Sequence, residues 1–452
     1  MPILQFNNHA SYTIEAEDHA LLVDPWLEGT AFNDGWSLLD ASTSNAAIVE
    51  RLGTIGKPLT IWYSHEHSDH FSLSFLKALK LAAFSEVRIA YQKTLDRRVV
   101  THLRKAGWNV VELRPGEPLP LGREMSLRVW PFYDSGDSYS LVTADGAQIL
   151  NLNDCAVDTH EKCEHVRTSL GEASGRLDLL LTQFGYANWI GNEADGAQRR
   201  DAAAEKIERI ALQAKHLAPR TIVPFASFVR FCHEENAYMN DAQNTIDDLV
   251  ESPRAQAFRD RVHVMQPGDR WEPTANAGSN EARAASERAR VHWRAMADAP
   301  AALPLQQRAQ VPLADLRVSA DKFRSAISRN LAWTNRLMER MGVIRPVVIQ
   351  LVDLGERVQM SYGRGLQATT EGVAHFSCTS EVLDFVLRND FGFNTTLVNA
   401  RFRTNDMKGY SRAWRFFILQ DLKKMGLSAS TPWITLRVIA RNLRKFIVRR
   451  AG

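Results

Sequence analysis

The stretch 61–72, IWYSHEHSDHFS, constrains this chain more than any other. An apolar run, Leu59 to Tyr63, has the length of a buried strand and opens directly into a loop that presents His65, His67, Asp69 and His70 within six residues. Imidazole nitrogens and a carboxylate are the donors that divalent zinc, iron or manganese prefer, and a strand end holds them rigidly. His65 and His67 are two apart and project to the same side of an extended segment. Asp69 and His70 lie past the turn and address a second metal, so one segment seeds two adjacent sites. The plain alternative is a polar loop that collected histidines by chance. With only 13 histidines in 452 residues, three of them in six positions beside a carboxylate argues against it.

The surrounding pattern is layered α/β. Between residues 1 and about 270, short apolar runs such as Ala20–Val23, Gln148–Leu152, Leu177–Leu181 and Thr221–Val223 end in polar or turn residues, as buried strands do. From Arg199 to Leu217, apolar residues recur at helical spacing. Residues 271–312 turn to Ala, Glu, Arg, Asn and Pro and read as a linker with some helix around Glu281–Met296. A smaller α/β unit, 313–452, follows, with a helix near Asp321–Met341, strands near Val347–Leu351 and Gln359–Tyr362, and a helix near Ser380–Arg388. A chain of 452 residues is too long for one ordinary core, which fits this division.

Charge and cysteine content exclude several classes. The formal net charge of +3 does not describe a nucleic-acid binder or an acidic disordered chain. The four cysteines form no C-x-x-C pair, which fits a reducing compartment. The N-terminus lacks the basic start and apolar core of a signal peptide, and no stretch offers ~18 unbroken apolar residues, so the expected location is the cytoplasm. Basic residues gather at the end: thirteen against two acidic ones from Arg401 onward. There, Ile434–Val448 reads as an amphipathic basic helix, which either lies on an anionic membrane or acidic partner or packs on its own domain.

H-x-H-x-D-H after an apolar strand resembles the signature of the metallo-β-lactamase superfamily. The resemblance extends upstream, where HASYTIEAEDHALLVDPWLEGTAF is similar to the first hairpin of that fold and Asp24 would support the metal loop from behind. Downstream, ILNLNDC resembles the strand whose terminal aspartate, here Asp154, bridges two metals. It implies an αββα sandwich holding one or two divalent ions, zinc or iron. Two ligands depart from the usual dizinc set. PFYDSGDSYSLV offers Asp134 or Asp137 where a histidine usually stands, and TIVPFASF places Phe225 and Ala226 at the last histidine. These departures, with FGYANWIGN from Phe184, PFASF, and HEEN from His233, resemble the β-lactamase-like portion of the cytidine monophosphate N-acetylneuraminate hydroxylases, over roughly residues 1 to 245. That family also carries a Rieske domain, whose Cys-x-His and Cys-x-x-His pair is not found in this sequence. The C-terminal unit resembles, at pattern level, the sterol-carrier fold, a sheet with helices around an apolar pocket.

The leading expectation is a hydrolase of an ester, lactone or phosphoester. His65, His67, Asp69, His70, Asp154 and Asp134 would hold metal, and Asp69 and His70 would act on the water. The runner-up is an iron-dependent oxygenase of a sugar-nucleotide-like small molecule, with electrons from a separate protein. A third reading is a non-catalytic metal- and lipid-binding protein. Asp24, His9, Asp137, Tyr186, Asn188 and His233 are candidates to support the site or contact substrate. For each the plain alternative is packing: His9 in its loop, Tyr186 and Asn188 in a Gly-bounded loop, His233 at a helix start. His233 is also the candidate to replace the absent last ligand.

Overall fold

The computed structural model describes residues 1–424 apart from 83, 85, 95–96, 134–135, 275–277, 300–304, 329–338, 341 and 343. Asp134 and the basic segment Ile434–Val448 therefore lie outside the described residues. The chain divides into two compact units: Met1–Cys232 with Ala237–Leu305, and His233–Asn236 with Gln306–Gly452.

In chain order, the first unit runs β1 (Ile3–Asn8), β2 (Ser11–Glu15), β3 (Ala20–Val23), β4 (Thr30–Ala31), β5 (Trp36–Leu38), α1 (Asn45–Ile55), β6 (Leu59–Tyr63), α2 (Leu73–Leu81), β7 (Val87–Gln92), α3 (Arg98–Lys105) and β8 (Asn109–Leu113). It continues with β9 (Leu119–Pro120), β10 (Met125–Pro131), β11 (Ser138–Ala144), β12 (Ala147–Asn153), α4 (His160–Leu170), β13 (Leu179–Gln183), α5 (Gly196–Leu217), β14 (Thr221–Phe225), β15 (Val229–Phe231), α6 (Ile246–Glu251), β16 (Arg270–Trp271) and α7 (Asn280–Asp298). Two sheets result, ordered β16-β1-β2-β3-β6-β7-β8 and β14-β13-β12-β11-β10-β9, with a small β15-β5-β4 sheet.

Strand alternation sorts the side chains into layers. Along β3, Leu21 and Val23 enter the core between the two sheets, while Ala20 and Leu22 enter the outer layer under α1, α2 and α3. The second sheet behaves alike: Leu179 and Leu181 face the central core, and Leu180 faces Val166 and Leu170 of α4. This is helix, sheet, sheet, helix, as the sequence implies. Both faces of each sheet are covered, which is why its parallel strands read as unbroken apolar runs.

The predicted elements fall close to those observed, with β13 two residues later than Leu177–Leu181 and α8 (Leu313–Ser328) beginning ahead of Asp321. The segment 271–312, expected as a linker with some helix, is mostly part of the first unit. Its helix α7 is 19 residues long and drives Ala289 and Trp293 into the central core. Trp293 stacks on Phe228 at 4.0 Å between ring centroids and donates its indole N–H to the Met265 carbonyl at 2.8 Å. The boundary therefore shifts from 270 to about 305.

The second unit is a four-stranded sheet, Gly365–Ala368, Glu356–Ser361, Val347–Leu351 and Phe376–Cys378 in spatial order, with α8 and the helices Ser380–Arg388, Gly392–Asn399 and Met407–Lys424. Its core includes the fully buried Arg401, paired with Glu235 at 2.7 Å and Glu381 at 2.6 Å, which ties the short segment His233–Asn236 into this unit. A cavity of about 910 Å³ here is lined by Arg345, His375, Lys408 and Arg412 along with Val373 and Tyr410, a more basic lining than an apolar lipid pocket. All four cysteines are buried free thiols. Among the described residues, no helix is long and apolar enough to cross a membrane.

Trp293→Ala removes the core contact that anchors α7. The expected loss is about 3–5 kcal/mol of unfolding free energy, measured by urea titration; an unchanged midpoint would show that α7 is dispensable to the first unit.

Candidate metal centre

Four contributions from the first unit build the site. β6 ends at Tyr63, and Ser72 caps α2 by accepting from the Phe75 N–H at 3.2 Å, so the metal loop is clamped between a buried strand and a helix start. Within it, the His70 and Phe71 N–H groups both turn back to the His67 carbonyl. The second contribution is Asp24, just past β3 and fully buried, with a φ of 39°. The third is Asp137 ahead of β11 together with Asp154 after β12, and the fourth is His9, at the β1–β2 turn with φ 39°.

The Asp24 carboxylate organises the rest. It accepts from the Ser64 N–H (2.8 Å), Ser64 Oγ (2.6 Å), His70 Nδ1 (3.0 Å) and Asn153 Nδ2 (2.6 Å). A carboxylate only accepts, so His70 Nδ1 carries a proton and Nε2 is turned to the centre. Ser64 gives its hydroxyl proton to Asp24, so its oxygen is free to accept from His65 Nδ1 at 2.9 Å, and His65 Nε2 is likewise left as a lone-pair donor.

Around these two nitrogens the ligand-type atoms fall into three overlapping groups, each within 4.8 Å: His9, Asp69, His70; His65, His70, Asp154; and His65, His67, Asp137. His65 Nε2 lies 2.8 Å from His67 Nδ1, 3.6 Å from Asp154 Oδ2 and 4.0 Å from Asp137 Oδ1. His70 Nε2 lies 3.4 Å from Asp69 Oδ2 and 3.5 Å from Asp154 Oδ1. His9 Nε2 reaches Asp69 Oδ2 at 3.4 Å. The first group is entirely buried, whereas His67 is exposed, so the cluster has a closed half and an open half.

The donors fit a divalent ion. His70 Nε2 and Asp69 Oδ1 are buried and have no hydrogen-bond partner, which in a native interior marks groups meant for something else. Burial disfavours a charged His70, yet the surrounding Asp69, Asp154 and Asp24 carboxylates push its pKa well up. Burial with the neighbouring His70 and His67 pushes His65 well down, leaving it neutral. Burial likewise opposes ionisation of Asp69, but the neighbouring His70 and His9 imidazoles hold its carboxyl well below the usual range. So much gathered negative charge calls for a cation, and the imidazoles ligate once deprotonated. The cluster suits one or two divalent ions, zinc or iron, and the donors its three groups offer are His65, His67, Asp69, His70, His9, Asp137 and Asp154.

The remaining candidates fall elsewhere. Tyr186 is buried with its hydroxyl donated to the Met239 carbonyl, so its oxygen serves the wall of the fold. Asn188 is exposed on its loop. His233 belongs to the second unit, with Nδ1 3.1 Å from Glu235 Oε2, and is in none of the three groups. His9 lies beside the strand end at Ala226: the Ala226 N–H donates to the His9 carbonyl at 2.9 Å, which draws the hairpin turn up to it. Sequence reading missed Asn153, which braces Asp24, and Gln183, which donates to Asp154 Oδ1 at 2.7 Å. A polar residue closing each of two buried runs, LNLN and LLTQ, was the available signal.

No family model matches the sequence. The chain is 26% identical over 290 residues to cytidine monophosphate-N-acetylneuraminic acid hydroxylase of Danio rerio, covering 59% of this chain and 45% of that protein. It is 28% identical over 266 residues to the inactive human form, covering 55% and 49%. The chain thus spans about half the length of these relatives. Among solved structures it aligns with Igni18, a metallo hydrolase from Ignicoccus hospitalis KIN4/I (14% identity, 60% of this chain and 98% of that one, TM-score 0.38), and with CmlA, a diiron β-hydroxylase from Streptomyces venezuelae (16%, 69% and 54%, TM-score 0.34).

Asp24→Asn tests the organising role of this carboxylate. The amide must turn an N–H toward one of four donors, so metal affinity is expected to fall about 10–100-fold in a competitive chelator titration, although Asp24 touches no ion. Unchanged affinity would show that the imidazoles orient themselves. A carboxylate-braced H-x-H-x-D-H loop at the end of a parallel strand, set between two face-packed sheets, is the arrangement that the resemblance to the metallo-β-lactamase fold implies, and the chain is similar in sequence to the cytidine monophosphate N-acetylneuraminate hydroxylases over 59% of its length.

Proposed function

We propose that this chain is a metal-dependent hydroxylating oxygenase working with an iron pair on a polar, sugar-nucleotide-like small molecule. The observation that carries the reading is the donor set. Each of the three groups is two imidazoles and one carboxylate, the combination that suits ferrous iron at sites that activate oxygen. The segment PFYDSGDSYSLV offers Asp134 or Asp137 where a zinc centre of this fold usually has a histidine, and Ala226 offers no side-chain donor at the last position. The names of the relatives, hydroxylases similar over 55–59% of this chain, support the same reading.

With iron bound, the centre would bring dioxygen reduction to a substrate C–H bond, one oxygen atom entering the product and the other leaving as water at the expense of two electrons from a separate donor protein. The chain's own residues do the rest. His67 and Asp137, on the open side, leave room for substrate to approach. His9, Asp69 and His70 enclose the other half and keep bulk water from it. Asp24 holds two imidazoles in register, and Gln183 steadies the Asp154 carboxylate.

A hydrolase acting on an ester, lactone or phosphoester is the second reading. What favours it is Asp69, which stays ionised between His9 and His70 and is placed to accept a proton from an attacking water. Metal content separates the two. Purified protein is expected to hold about two irons per chain and to consume oxygen only with a reductant; zinc together with oxygen-independent turnover would overturn the oxygenase. His67→Ala is expected to lose metal and turnover together. Asp137→His is expected to move the preference toward zinc and lower reductant-dependent oxygen uptake at least about tenfold, read by elemental analysis and an oxygen electrode.

A further inference from the structure

A second cluster of metal-type ligands lies on the outer helical layer, at the junction of α4 and α5. His160, the first residue of α4, and His216, in the last turn of α5, face each other with Nδ1 atoms 3.3 Å apart and rings 4.5 Å apart. Glu164, one turn along α4 from His160, completes a group whose ligand atoms lie within 4.8 Å. We infer that His160, Glu164 and His216 form a zinc site distinct from the central one.

Three features argue for a ligand set over a chance surface contact. Two imidazoles share one short nitrogen–nitrogen contact, so at most one of those nitrogens carries a proton there while the other presents its lone pair. Both imidazoles stand at helix ends, His160 at the first residue of α4 and His216 in the last turn of α5, so the two helix backbones fix where they meet. Glu164 is held from behind: Arg167 donates to its Oε2 from Nε at 3.1 Å and from Nη2 at 2.5 Å, fixing the carboxylate in orientation. Two nitrogens and one carboxylate oxygen leave a fourth tetrahedral position to water, the pattern of a partly exposed zinc site.

The location gives such an ion a consequence. α4 follows directly on the loop that begins with Asp154, and His216 ends the long helix α5. A cation there links the start of one helix to the end of the other and stiffens the segment on which Asp154 is mounted.

Zinc content after equilibration with zinc chloride and gel filtration is the test. His216→Ala and, separately, Glu164→Gln are expected to bind one zinc fewer per chain than wild type, with unchanged far-ultraviolet dichroism, since all three side chains reach the surface. His65→Ala/His67→Ala is expected to lose central metal while keeping the zinc that His216→Ala removes, along with a zinc-induced rise in Tm. Equal zinc content in wild type and both surface variants would overturn the proposal. So would loss of all zinc from a folded His65→Ala/His67→Ala protein.

Discussion

The buried carboxylate of Asp24 is the constraint on which the metal centre depends. It accepts from groups on two loops: Ser64 and His70 from the loop after β6, and Asn153 from the end of β12 in the other sheet. A fully buried carboxylate is tolerable only when such donors replace water. Satisfying it therefore fixes the loop's path, joins the two sheets behind the site, and decides which nitrogen of His65 and His70 is presented to the centre. The cluster is thus preorganised before any ion arrives, and the orphaned His70 Nε2 and Asp69 Oδ1 are what that organisation leaves pointing inward.

The asymmetry of the cluster follows from where its carboxylates enter. Asp69 sits between His9 and His70 in a fully buried pocket, while Asp137 and the exposed His67 form the outward side. Chemistry on a small substrate requires such an opening on one side, and protection of the ligands from water on the other. Both readings of the activity use this division; they differ in which ion the donors favour.

How much was legible in the sequence depended on how local the information was. The H-x-H-x-D-H loop and Asp154 were visible because strand ends and their ligands are contiguous in the chain. The αββα layering was visible because doubly covered strands are apolar throughout. α7 was misjudged as part of a linker because its core face is sparse: only Ala282, Ala289 and Trp293 are buried along 19 residues, and Ala and Arg elsewhere mask the stripe. Tyr186 looked like a recognition residue because its loop is Gly-bounded, yet only the folded chain brings the Met239 carbonyl to its hydroxyl. Gln183 and Asn153 escaped notice for the same reason, since their partners lie 29 and 129 residues away.

His9 brings a third part of the chain to the cluster. With Ala226 after the end of β14, no side chain from that strand joins the three groups, but its backbone has a structural role: the Ala226 N–H holds the His9 carbonyl. Both residues adopt positive φ, 47° and 39°, a conformation costly for side chains other than glycine. Two such residues bonded to each other are maintained only where surrounding structure enforces them. Here the result is an imidazole turned onto Asp69, supplied by the first hairpin. The backbone at Ala226 and the buried position of His9 are accordingly two parts of one arrangement, joined by a contact between residues 217 positions apart in the chain.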